Sequence, residues 1–96
     1  LSDDLTELAQ QVEQAAETPH VVLNMANVTF IGSSNLGLLL ALRRLIADRG
    51  RLFKVCSVSD QVWSIFLVTG LDKVFRFAPD PMTALAGIQI EEAKNA

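Results

Sequence analysis

Two adjacent serines, Ser33 and Ser34, come closest in this chain to residues with reactive chemistry. They follow Gly32, between a predicted strand and a predicted helix, where hydrolases with a G-x-S-x-G motif place their nucleophile. Leu36 replaces the second glycine of that motif. The only histidine, His20, precedes the serines, although these hydrolases place it last. The sequence therefore argues against acyl-transfer catalysis.

Other enzymatic motifs are also missing from the sequence. No Gly-Lys-Ser/Thr triplet is present for a phosphate-binding loop, and no His, Cys and Asp residues have zinc-site spacing. We therefore predict a protein that is not an enzyme and needs neither a metal nor another cofactor. His20 is interpreted as a surface residue beside Pro19. Cys56 has no second cysteine to pair with, and its apolar surroundings predict a core position.

The composition predicts one compact domain over residues 1–96, half of them hydrophobic (50%), and the repeated strand-helix-strand pattern of the chain makes its class α/β. The net charge of -3 and the pI near 4.9 argue against direct nucleic-acid binding, which needs a basic face. No sorting signal is visible. No apolar run reaches the ~18 residues that a membrane-spanning helix needs, so we expect a cytoplasmic location without a membrane partner.

Charge is unevenly distributed along the chain. The first 20 residues contain five Asp and Glu residues and neither Lys nor Arg, whereas five basic residues lie close together in the middle of the chain. The basic residues are Arg43, Arg44, Arg49, Arg51 and Lys54. We interpret them as the solvated end of a helix and the edge of the next strand, with the attraction of an acidic partner as the alternative.

Hydrophobic periodicity and capping residues predict four helices and three strands. The predicted helices cover about residues 3–17, 36–46 and 59–70, and a last helix starts at Asp80-Pro81. The second of these is apolar nearly all round, which predicts a buried helix. The predicted strands cover Val21–Met25, Leu52–Val58 and Lys73–Phe77. Short connections through helices require parallel strands.

A sheet of three strands leaves at least one edge without protection. The first predicted helix should also pack on a sheet formed before it. We therefore expect further strands, which this chain lacks, supplied by upstream sequence or by a partner chain.

The serine pair lies where the second helix is expected to start. The first turn of a helix has unpaired N–H groups and the positive end of the dipole, so a serine there can cap the helix or carry a phosphate. Phosphorylation adds about -1.5 to -2 charges and can make a partner surface repulsive. Capping alone is the simpler interpretation of both serines.

Three segments together resemble the STAS domain of anti-sigma-factor antagonists. The first is VVLNMANVTFIGSSNLG over Val21–Gly37, similar to a VVL-D/N-L strand followed by a D-S-S/T-G-L-G loop. The others are GRLFKVCSVS over Gly50–Ser59 and VTGLDKVF over Val68–Phe75. Their order and spacing cover essentially the whole chain. The resemblance implies a STAS-like α/β fold, with strands before the first helix.

The resemblance also implies a role in bacterial transcription regulation. In such proteins the serine after the motif aspartate is phosphorylated by a partner serine kinase that is also the anti-sigma factor. The unphosphorylated form binds this kinase and releases the sigma factor. By position, Ser33 would be the phosphorylated residue and Ser34 the second choice.

The residues around Ser33 are the predicted partner-binding positions. Leu36 and Gly37 match the end of the motif, whereas Gly32 replaces its aspartate and Asn35 replaces its glycine. The loss of the carboxylate and the added side chain favour a rival interpretation, in which the surface binds a partner without phosphorylation. Trp63 is a further candidate as an interface anchor, with a core position under a loop as the alternative.

Three functions stay open. The first is a phosphorylated anti-sigma-factor antagonist, and the second is a non-phosphorylated STAS scaffold or adaptor in a larger complex. The third is a small-ligand-binding or transporter-associated STAS module. The sequence also leaves a homodimer open.

Overall fold

The computed structural model describes residues 1–95, which form four α-helices and three strands. The helices are α1 (Ser2–Gln14), α2 (Ser33–Asp48), α3 (Asp60–Thr69) and α4 (Pro81–Asn95). The strands are β1 (Val21–Asn24), β2 (Phe53–Cys56) and β3 (Arg76–Ala78), and a 3-10 turn covers Leu71–Lys73. The predicted α/β fold is confirmed.

The three strands form one parallel sheet in the order β1-β2-β3. Val21 pairs with Phe53 across β1 and β2, and Val55 pairs with Phe77 across β2 and β3. All the carboxyl ends of the strands therefore lie at one end of the sheet. In the part of the chain that the structure describes, β1 and β3 are both edge strands.

Local capping signals placed three helix ends correctly. Ser59 accepts a hydrogen bond from the Val62 N–H at 3.2 Å and starts α3, and Gly70 ends that helix with a φ of 75°. Asp80 accepts from the Thr83 N–H at 2.7 Å and starts α4. The hydrogen bonds from the backbone and the hydroxyl of Thr83 lower the pKa of Asp80.

Other boundaries differ from the prediction. Helix α1 ends at Gln14 because Ala15 is extended, with a ψ of 137°. Strand β3 starts at Arg76, three residues after Lys73, because the chain after Gly70 first makes the 3-10 turn. The last helix, for which only a start was predicted, continues through the polar segment from Glu91 to Asn95.

The sheet is covered on both faces. The main core contains Phe53 and Val55 of β2 together with the buried side chains of α1, α2 and α3. Cys56 points to the other face of the sheet and is fully buried. Ala84 and Ile88 of α4 are also buried. The predicted core position of Cys56 is confirmed.

Helix α2 is buried along one face only, which corrects the prediction of a buried helix. Its fully buried residues are Leu39, Leu42 and Ile46, at the spacing of one helical stripe. Leu40 is 38% exposed. The apolar composition of α2 therefore exceeds what this packing uses.

Aromatic rings fill the core beneath α3. The Phe66 ring meets Phe75 and Phe77 edge to face, with centroids 5.8 and 5.1 Å apart. Phe53 meets Phe75 in the same way at 6.2 Å. Edge-to-face pairs of this kind contribute about 0.5–1.5 kcal/mol beyond their buried area.

Three of the five central basic residues contact other segments of the chain, and of these only Lys54 departs from the expected solvated cluster, because Arg43 and Arg49 are exposed. Arg49 donates to the Val12 carbonyl oxygen at 3.1 Å, and Arg43 donates to that of Val74 at 3.0 Å. Lys54 lies 3.2 Å from a carboxylate oxygen of Glu91. Arg44 is exposed as well.

His20 also connects elements and is half-buried. Its Nδ1 accepts a hydrogen bond from the Leu52 N–H at 2.8 Å, and its Nε2 lies 3.1 Å from Glu92 Oε1. A backbone donor on Nδ1 requires that this nitrogen carry no proton. His20 therefore joins the start of the sheet to α4.

Candidate functional site

The serine pair lies in a loop that begins at the carboxyl end of β1. Met25 N–H donates to the Cys56 carbonyl at 3.0 Å and ends the strand pairing, and Asn24 Oδ1 accepts from the Ala26 N–H at 3.0 Å. Ile31 is buried and anchors the returning chain. Ligand sites in open parallel sheets form at this end of the strands.

Helix α2 starts directly at the serines. Gly32 is the N-cap residue, its carbonyl accepts from the Leu36 N–H at 3.0 Å, and Ser33 is the first helical residue. Both serines are exposed, and neither caps the helix with its hydroxyl. The capping interpretation is therefore wrong. Within residues 1–95 neither serine hydroxyl has a hydrogen-bond partner.

Asn35, unlike the two serines, forms side-chain hydrogen bonds at the start of α2. Its Oδ1 accepts from the Gly32 N–H at 2.9 Å, and its Nδ2 donates to Ser2 Oγ at the start of α1. The side chain is half-buried. Asn35 thus holds the starts of two helices together.

Gly32 has a backbone conformation that other residues can adopt. Its φ is -99° and its ψ is 176°, in the extended region. A Cβ atom there would lie 3.4 Å from Cε1 of Phe30. The backbone at Gly32 therefore has room for the Cβ atom of a larger residue, such as the motif aspartate of the STAS resemblance.

Leu36 and Gly37 continue the first turns of α2 in different environments. Leu36 is half-buried against the core. Gly37 is exposed, and a Cβ atom there would meet no atom within 4 Å. Of the two, Gly37 is the one that leaves open surface for a partner.

Phe30 lies beside these residues and was missed in the sequence analysis. Its side chain is 72% exposed, although large aromatic residues are usually mostly buried. It also lines a groove of about 520 Å³ that Leu1 and Leu23 border. An exposed phenylalanine is a typical interface anchor. Its position two residues before Gly32 of the Gly-Ser-Ser segment was the available signal.

Ser57 is a second residue that the sequence did not reveal. It follows β2 at the same end of the sheet and has a φ of 59°. This left-handed conformation is unfavourable for serine by about 1–2 kcal/mol. Strained backbone of this kind concentrates at functional sites.

Trp63 packs on the strand of the sheet that lies farthest from the one leading to the serine pair. Its ring packs edge to face against Phe77 of β3, with centroids 5.0 Å apart. The central strand β2 separates β3 from β1, which leads to Ser33. Trp63 is half-buried. The placement therefore favours the core interpretation of this residue.

The described residues offer neither a cluster of metal ligands nor a membrane-spanning helix. No group of three or more His, Cys, Asp and Glu side chains in residues 1–95 is arranged to hold a metal ion. None of the described helices has the length and apolar character needed to cross a membrane.

Comparisons with known proteins identify the family. The model of the STAS domain family matches residues 2–84. An anti-sigma F factor antagonist from Paenibacillus polymyxa is 30% identical over 77 residues, which are 80% of this chain and 66% of the relative. The chain therefore spans about two thirds of that curated relative.

A solved structure has the same fold. The crystal structure of a proposed anti-sigma factor antagonist from Thermotoga maritima aligns with a TM-score of 0.76 at 17% identity. The alignment covers 91% of this chain and 77% of the other. With the family match over most of its length, this chain belongs to the STAS domain family.

Proposed function

We propose that this chain is an anti-sigma-factor antagonist that binds its anti-sigma factor at the start of α2. We define the Ser33 surface as Phe30, Ser33, Ser34 and Gly37, all of which are exposed. The observation that carries the proposal is the free Ser33 hydroxyl in the first turn of α2, within a STAS domain. The Paenibacillus relative, which is named as such an antagonist, supports it.

Phosphorylation of Ser33 would control this binding. The phosphoryl group would lie at the positive end of α2, where first-turn N–H groups lack a side-chain cap. It would also add about -1.5 to -2 charges close to the apolar ring of Phe30. A partner that buries Phe30 would then have to desolvate the phosphate as well, so the modified form should bind more weakly.

The test is incubation of the chain with ATP and an anti-sigma-factor serine kinase from the same organism. We expect one phosphate to be transferred, located on Ser33 by mass spectrometry of peptides. Ser33→Ala should abolish the transfer, whereas Ser34→Ala should retain it. Transfer that persists in Ser33→Ala, or that fails with the folded wild-type chain, would contradict the proposed switch.

Gly32→Asp tests the missing motif carboxylate. The backbone at Gly32 accepts a side chain, so the variant should fold like the wild type. We expect faster phosphorylation of Ser33, because a carboxylate beside the acceptor can orient it. An unchanged phosphorylation rate would show that a carboxylate at position 32 does not orient Ser33.

Phe30→Ala tests the binding surface independently of phosphorylation. Loss of an interface aromatic costs about 2 kcal/mol or more, which weakens binding about thirtyfold. Val68→Ala is the matched control, because Val68 is 88% exposed on α3. Calorimetry with the anti-sigma factor gives both affinities. Equal affinities of Phe30→Ala and the wild type for the anti-sigma factor would show that Phe30 does not contribute to binding.

A STAS adaptor that binds without phosphorylation is the second candidate. The absence of a carboxylate at Gly32 favours it, since no acidic residue precedes Ser33 directly. In this case Ser33→Ala and Ser33→Asp should both keep the wild-type affinity for the partner. Weakening by Ser33→Asp alone would instead favour the phosphorylated antagonist.

A further inference from the structure

A second candidate site lies at the opposite end of the sheet, where β2 and β3 begin. A cavity of about 120 Å³ there is lined by three arginines, Arg43, Arg51 and Arg76. We infer that this cavity binds the phosphate group of a small phosphorylated molecule. The inference does not depend on the proposed function of the Ser33 surface.

The walls of the cavity carry positive charge only. The remaining lining residues are alanine, leucine, valine and phenylalanine side chains, without an Asp or Glu among them. The side chains that line the cavity are therefore locally basic, although the chain as a whole has a net negative charge.

Much of the hydrogen-bonding capacity of the three arginines remains available. Arg43 uses its Nε for the Val74 carbonyl oxygen. Arg76 uses Nη1 for Glu91, which also contacts Lys54. Arg51 has no side-chain partner among residues 1–95. Each guanidinium carries five N–H donors, so most of them stay free for a ligand.

The number and type of these groups favour phosphate over carboxylate. Guanidinium groups bind phosphate and carboxylate oxygens in pairs of parallel hydrogen bonds. A phosphate group presents three oxygens and close to two negative charges, as in a phosphorylated side chain. A carboxylate presents two oxygens and one charge. The arginines that line the cavity therefore match a phosphate better than a carboxylate.

The cavity is separate from the Ser33 surface. Helix α2 starts at Ser33, and Arg43 and Ala47 line the cavity from its second half. At a rise of 1.5 Å per residue, Arg43 lies about 15 Å along the helix axis from Ser33. The two sites can therefore be tested with separate variants.

Titration of the chain with inorganic phosphate and with AMP at low ionic strength tests the inference. Amide chemical shifts recorded by NMR should change for Arg51, Val74 and Arg76. Tighter binding of AMP would identify a nucleotide as the source of the phosphate, whereas equal binding would identify the free anion. The absence of shift changes with both ligands would overturn the inference.

Arg51→Gln measures how much one arginine of the cavity contributes to phosphate binding. We expect about tenfold weaker binding, because a charge-assisted hydrogen bond is lost, while thermal unfolding should stay unchanged. Arg44→Gln is the matched control, since Arg44 is exposed on α2 outside the cavity and carries the same charge. Equal weakening by both variants would indicate general charge attraction and would also overturn the inference.

Discussion

At the residue scale, Asn35 has a structural role that its place in the motif does not indicate. The resemblance expects glycine there, and the added side chain suggested contact with a partner. In the structure its amide group connects Gly32 to Ser2 instead. A role in partner binding at Asn35 stays a prediction, but its role at the start of α2 follows from these hydrogen bonds.

Asn35→Ala should therefore lower the free energy of unfolding by about 1 kcal/mol, as the loss of a helix cap does. Urea denaturation followed by circular dichroism measures this change. Asn27→Ala is the control, because Asn27 is exposed in the preceding loop. Similar losses in both variants would show that the Asn35 hydrogen bonds contribute no stability.

Ser57 offers a test of backbone strain. Glycine adopts a positive φ without the steric cost of a Cβ atom, so Ser57→Gly should raise the free energy of unfolding by up to about 1 kcal/mol. Ser64→Gly changes the same residue type inside α3, where glycine should destabilise by about 0.5–1 kcal/mol. Thermal unfolding of the two variants should therefore shift in opposite directions. A lower stability of Ser57→Gly would argue against strain.

At the element scale, α2 carries more apolar surface than its packing uses. One face of the helix is buried, whereas Leu40 and the glycine at position 37 are exposed. Glycine inside an exposed helix is unfavourable relative to alanine. Gly37 therefore lowers the stability of α2 at the point where the Ser33 surface lies.

Gly37→Ala should raise the free energy of unfolding by about 0.5–1 kcal/mol, because the new methyl group meets no atom within 4 Å. If a partner packs closely on Gly37, the same variant should bind it more weakly. Gly87→Ala is the control within a second helix. Its new Cβ atom would lie 2.6 Å from Lys54 Nζ, so this variant should gain less stability than Gly37→Ala. Unfolding and binding measurements on both variants separate the two effects.

The sequence predicted the elements whose ends depend on neighbouring residues. Ser59, Gly70 and Asp80 act within one turn of the chain, so their types were sufficient to place α3 and the start of α4. Strand β3 was misplaced because its apolar residues begin before its pairing does. Val74 is apolar, but the 3-10 turn delays pairing with β2 until Arg76.

At the scale of the whole molecule, Glu91 joins α4 to two strands through Lys54 and Arg76. Partial burial acts to raise the pKa of Glu91, but the hydrogen bonds and charges of Arg76 and Lys54 outweigh it and lower the pKa below its ordinary value of 4.5. A carboxyl whose pKa is lowered by folding stabilises the protein above its unfolded pKa. This stabilisation is lost as the pH falls through the folded pKa.

The stability difference between the wild type and Glu91→Gln should therefore be largest at neutral pH and shrink as the pH falls below 4.5. Urea denaturation across this range measures it. Glu7→Gln on the exposed side of α1 is the control and should show little difference at any pH. A difference for Glu91→Gln that grows on acidification would have the opposite sign and contradict the proposed network.

The sequence by itself determined the α/β class, the parallel strands, the STAS resemblance and the position of the serine pair at a helix start. These features depend on local patterning and on residues within a few positions of one another. Only the tertiary structure decided that Gly32 and not a serine is the N-cap residue of α2, with Asn35 bound to its N–H, and that Phe30 is exposed beside Ser33. It alone also brought Arg43, Arg51 and Arg76 to one cavity. Such contacts depend on how distant segments pack, which residue types alone do not specify.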